Sequence, residues 1–262
     1  MRKIFLLSGV NAMIRIIVKG FLVGGLMGLI GQVIFLVISK TAVPADMVVP
    51  ATMLTYGFVS VALILSGLYF KLAAFGGHGA DRPISGLMFG AAMTCADAKR
   101  SGRGTLASFF AGFWMIMKIL GAGFVVAFVL GVVLGPYKGS VPVEAPSLGM
   151  QFLWAFVVCG LLCAFAQLLT EVKVPFPIVA MALIAIGGGL MTRFGVLDTL
   201  NTLTGAGATV TAVGCGNGAY GTGILAACGV WVPFLITVLL NCVLVAMGSL
   251  CGLALARKNP NT

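Results

Sequence analysis

The chain has 262 residues, 60% of them apolar and 8% charged, far below the roughly one quarter charged in a soluble globular protein, which excludes water as its main solvent. Its 16 Lys and Arg against 6 Asp and Glu sit in short clusters between long uncharged runs. That pattern belongs to loops beside anionic lipid and not to the basic, aromatic-interleaved stripe of a nucleic-acid binder, so no nucleic-acid partner is expected.

A helix needs about 20 apolar residues to cross a bilayer core. Residues 1–20 read as an N-terminal amphipathic segment. Ile4–Val10 after Arg2 and Lys3 is short for the core of a signal peptide and no cleavage-like site follows, so the segment is expected to be retained. A first span is expected over Phe21–Ser39 and a second over Met47–Phe70. A charged, glycine-rich interval follows. The run from Gly104 to Tyr137, broken only by Lys118, holds a third span. Ala145–Thr170 and Val174–Thr192 give the fourth and fifth. The last run, Thr199–Ala256, exceeds what one span can use. Its first part, to Gly223, is rich in Gly and Thr and would make a poor lipid-facing helix. Backbone of that kind survives at membrane depth only inside protein or beside a water-filled cavity. It reads as a re-entrant or broken segment ahead of a sixth span over Gly229–Ala256, with a seventh crossing as the alternative.

Basic residues on alternate sides of six spans divide unequally. Arg2, Lys3, Arg15, Lys19, Lys71, Arg82, Lys99, Arg100, Arg103, Lys173, Arg257 and Lys258 fall on one side, against Lys40, Lys138 and Arg193 on the other. The side richer in basic residues is cytoplasmic, which places both termini there. The Lys99, Arg100 and Arg103 cluster reads as an anchor at anionic headgroups, with a protein contact as the other reading.

The chain also repeats itself. Phe21–Gln32 (FLVGGLMGLIGQ) lies over Phe156–Gln167 (FVVCGLLCAFAQ), with Phe, Val, Gly, Leu and the closing Gln in common. At a second common spacing Gly67, Leu72, Gly77, Gly79, Ala80, Gly86 and Gly90 fall on Gly195, Leu200, Gly205, Gly207, Ala208, Gly214 and Gly218. The units are residues 21–137 and 151–256, joined by a linker at 138–150 and followed by a tail at 257–262. Three spans per unit force the second copy to insert upside down, an architecture of transporters in which the solute site lies between repeats at discontinuous helices. The expected fold is therefore all-α: a polytopic membrane protein of about six helices in two inverted three-helix repeats, with glycine-rich re-entrant or broken segments. The paired glycine segments mark the candidate pathway, unless these glycines serve helix packing alone.

Certain polar residues stand out against this background. Gln32 and Gln167 sit at matching depth and either line the pathway or tie helices together. Lys118 either attracts an anion or snorkels to an interface. Asn217 either orders a glycine-rich turn or lines the pathway. His78 lies three residues before Asp81, but a lone histidine among scattered carboxylates is a poor metal site, so no metal or cofactor is expected and His78 reads as a loop residue. The seven cysteines read as small buried hydrophobes. Asp46, Asp81, Asp97, Glu144, Glu171 and Asp198 are widely separated, which leaves no paired carboxylates for catalysis. No phosphate-binding Gly-x-x-x-x-Gly-Lys-Ser/Thr motif occurs, so direct ATP drive by this chain is not expected.

At Gly160–Gln167, at Gly205–Val210 and at Gly214–Asn217 the chain resembles the stage V sporulation protein A (SpoVA) membrane family. The first half keeps Gly24-Gly25-Leu26 and Gln32 but has His78, Asp81 and Arg82 in its second block, and Phe89 where the second copy has Asn217. The whole looks like two SpoVAC- or SpoVAE-type units fused. That resemblance implies a spore inner-membrane component, working with other SpoVA-type subunits, that moves dipicolinic acid with calcium as possible counter-ion. A non-conducting scaffold subunit is the alternative.

Overall fold

The computed structural model describes residues 2–77, 80, 83–136, 144–171, 177–205 and 209–258. The helices described there are α1 (Arg2–Ser39), α2 (Val48–Leu65), α3 (Leu68–Gly76), α4 (Ile84–Arg100) and α5 (Thr105–Leu134) in the first half. The second half holds α6 (Leu148–Glu171), α7 (Pro177–Arg193), α8 (Val196–Thr204), α9 (Ala212–Ala227) and α10 (Val232–Lys258). Five stretches, in α1, α2, α5, α6 and α10, are long and apolar enough to cross a membrane. The bent pair of α7 and α8 makes a sixth if it is taken as one broken span. The protein is an all-α, multi-pass membrane protein.

The breaks recur at matching places because glycine alone enters the left-handed region without strain. Gly67 and Gly195 (φ 80° and 70°) separate α2 from α3 and α7 from α8. Gly77 and Gly205 (φ 55° and 59°) end α3 and α8. Gly102 and Gly229 (φ 85° and 82°) close α4 and α9, each with the amide of the next residue reaching back to a carbonyl in the last turn, Arg103 to Ala98 and Val230 to Leu225.

Two expectations need correction. The second span stops at Leu65, short of Phe70, because the chain turns at Gly67. The charged, glycine-rich interval before Gly104, in which no span is expected, contains α4, whose Ala91, Ala92, Cys95 and Ala96 are buried. The Gly-rich stretch before Gly223 is broken, as expected, but its later part is the helix α9. There Gly216 sits against the Ala185 backbone and Gly223 against that of Phe128. Close helix contact offsets the low propensity of glycine in these places.

Packing repeats as well. α10 lies along α4 and α2, while α9 and α7 lie along α5. α1 and α6 form the most extensive crossing. Gly24 meets Cys163 and Gly28 meets Cys159; Gly25 meets Phe156 and Gly160 meets Phe21. Farther along, Gln32 reaches Gln151. Numbers rise on one helix as they fall on the other, so the pair is antiparallel, and each glycine contact has its counterpart with the halves exchanged.

Candidate solute pathway

The chain between α3 and α4 and that between α8 and α9 come together at one point, an isolated antiparallel bridge pairing Pro83 with Thr211. The Ile84 amide donates to the Val210 carbonyl at 3.1 Å. Pro83 and Thr211 occupy equivalent positions, at the spacing that joins Gly67 to Gly195. Both tips rest against the middle of α1's apolar stretch, Met13–Ser39, with Gly76 against Val23 and Val210 against Gly31. α4 and α9 both begin at this bridge, so two helix N-termini converge on it.

Gln32 and Gln167, 0% and 1% exposed, meet the tips crosswise. A Cβ at Gly205 would fall on the Gln32 carboxamide, and one at Gly77 would lie 3.8 Å from Gln167 Oε1. Each glutamine thus faces the tip of the opposite half. Gln32 Nε2 also donates to Gln151 Oε1 at 3.3 Å, and Gln151 Nε2 donates to the Pro146 carbonyl at 3.0 Å.

The other candidates are dispersed. Lys118 lies on α5, thirteen residues beyond Thr105, with an exposed side chain. Asn217 lies on α9, where its Oδ1 accepts from Thr192 Oγ1 of α7 at 2.9 Å, so it ties two helices and does not shape a turn. Gly79, Gly207, His78, Asp81 and Arg82 lie outside the described residues. At the end of α5, Arg193 donates to the Pro136 carbonyl and the Tyr220 hydroxyl donates to the Gly135 carbonyl at 2.7 Å.

Sequence reasoning overlooked Gln151, Thr211 and a polar cluster in the first half. Tyr69 Oη donates to the Ala80 carbonyl at 2.7 Å and lies 3.1 Å from Ser85 Oγ; Tyr56 Oη is 3.4 Å from the same oxygen. The Tyr56 and Tyr69 rings are 1% and 0% exposed. Tyrosines within or beside an apolar span were the available signal, because a buried hydroxyl requires a partner. Among the described residues no three His, Cys, Asp or Glu side chains gather as a metal site, and all seven cysteines are free.

A family model described as SpoVAC/SpoVAEB sporulation membrane protein matches residues 16–136 and 151–233, a segment in each half. No curated protein and no solved structure matches the chain.

Proposed function

The chain belongs to the SpoVAC/SpoVAEB family of sporulation membrane proteins, a non-catalytic membrane transport and scaffold family, and we propose that it forms a conduit, or part of one, for a small organic anion. In this reading α1, α2 and α5 are the spans of one unit (21–137) and α6, α7 and α10 those of an inverted second unit (151–256). The pairs α3–α4 and α8–α9 re-enter from opposite faces. The observation that carries the proposal is the crosswise contact of each tip with the glutamine of the other half, beside the Pro83–Thr211 bridge. In inverted-repeat transporters the solute binds where broken helices meet between repeats. The positive ends of α4 and α9, aimed at one point, favour an anion there.

Gln32, Gln167, Gly77, Gly79, Gly205 and Gly207 would form the constriction, with Asn217 and Lys118 at greater distance. Family membership points to dipicolinate, with calcium as counter-ion, as the solute. The location would be the spore inner membrane, with both termini in the cytoplasm and other SpoVA-type subunits alongside.

Vesicles loaded with calcium dipicolinate and containing the purified protein should release it faster than protein-free vesicles. The burial of both glutamines favours a second reading, a closed scaffold subunit that conducts nothing. Absence of release under every osmotic condition and with partner subunits added would decide for the scaffold.

A further inference from the structure

Beside the second tip the described structure contains a cavity of about 420 Å³ between α6, α7 and the start of α9. Its depth is formed by Cys163, Ala166, Ile184, Val213 and Thr211, each at most 8% exposed, and its mouth by Phe165 and Leu183, 58% and 46% exposed. Among the described residues its walls hold no charged side chain, and Thr211 supplies the only side-chain hydroxyl. The space is open at Gly187, where an added Cβ would touch nothing within 4 Å.

The first half fills the corresponding volume. At the spacing of the repeat, Ile184 stands where the first half has Tyr56, Gly187 where it has Val59, Val213 where it has Ser85, and Leu162 where it has Met27. Those residues include the hydroxyl cluster around Ser85. The second half lacks the two hydroxyls and one side chain, leaving an apolar recess.

We propose that this recess is a binding site for a lipid acyl chain entering sideways from the bilayer. The mouth is apolar and opens on the outer face of the bundle, which in a multi-pass protein is bathed by hydrocarbon. Unfilled, its walls would lack contact partners on one side. A hydrated anion has nothing to replace its water there, which separates the recess from the tip bridge even though Thr211 belongs to both. A chain seated on Ile184 and Val213 wedges α7 from α9 directly beside the second tip. The proposal needs only the membrane placement and stands whether or not the protein conducts.

The test is photolabelling in phosphatidylglycerol vesicles whose lipid carries a diazirine midway along one acyl chain. Label should reach Val213 and Ile184, which are nearly inaccessible from the surface, while Tyr56 and Ser85 stay at background. Gly187→Leu fills the recess with room to fold, and should cut the Val213 label about tenfold, the ratio implied by excluding two buried methylenes. Label at Val129, 50% exposed on α5, should not change. Should Gly187→Leu fail to fold, Ile184→Phe provides the same filling from one turn earlier on the same wall. Label at Val213 no higher than at Tyr56, or unchanged in a folded filled variant, would overturn the proposal. So would labelling of Val213 by a water-soluble diazirine and not by the lipid.

Discussion

Gly205 is constrained twice, by its own backbone and by its neighbour. Its φ of 59° and ψ of −113° form a backbone that glycine alone adopts readily, where a Cβ costs on the order of 1–3 kcal/mol. That Cβ would also collide with the Gln32 carboxamide, displacing a buried amide from its partners at a further ~1–3 kcal/mol. Gly77 has the same backbone, φ 55°, but Gln167 stands off at 3.8 Å. Gly205→Ala should therefore destabilise the protein by about 2 kcal/mol more than Gly77→Ala, measured by reversible unfolding in mixed micelles. Adding Gln32→Ala to Gly205→Ala should recover part of the loss, because the two side chains compete for one volume. Equal costs for the two glycine variants would show that the glutamine contact contributes nothing.

Helices are decided by a different balance. α9, rich in glycine, is a poor helix former by composition, and α4, ending in Asp97, Lys99 and Arg100, is too polar to read as a span. They hold because glycines of the neighbouring helices let their backbones come close: Gly248 and Gly252 of α10 sit against the Met88 and Ala92 backbone of α4, and Gly131 of α5 sits against the Tyr220 backbone of α9. This is why the sequence showed the break at Gly205 but missed α4 altogether: propensity is local, whereas the contacts that hold these helices come from the other half of the chain. Orientation is tested at the same scale. Arg193 binds the carbonyls at Gly135 and Pro136, so the ends of α5 and α7 share one side. Reporter fusions within 138–144 and after α10 should then report opposite sides of the membrane. The same side for both would rule out six inverted spans.

Across the whole molecule, the two halves meet tip to tip as well as along α1 and α6. The bridge at Pro83 and Thr211 is the natural place to lock them. Facing residues of an antiparallel bridge have Cα atoms about 4.5–5.5 Å apart, within reach of a disulfide. Oxidising Pro83→Cys/Thr211→Cys should slow dipicolinate release at least about tenfold if the tips must part, and reduction should restore it. Unchanged release with the bond formed would place the pathway elsewhere. Beside Thr211 the recess occupies a volume that Tyr56 and Val59 take up in the first half, so a lipid chain seated there would act on the second tip.

Membrane residence, the duplication and the positions of the paired breaks were legible in the sequence, because hydropathy, repeated residues and left-handed glycines are properties of short segments. The pairing of Gln32 with Gly205 and of Gln167 with Gly77 was not. Matching depth placed both glutamines at one level, yet which tip each meets depends on how one half is laid against the other. The recess was equally hidden. Its walls come from three helices, and it exists because Ile184 and Gly187 leave unfilled a volume that Tyr56 and Val59 fill in the first half. That difference becomes a cavity only once the helices are packed, when a missing side chain has no solvent to replace it.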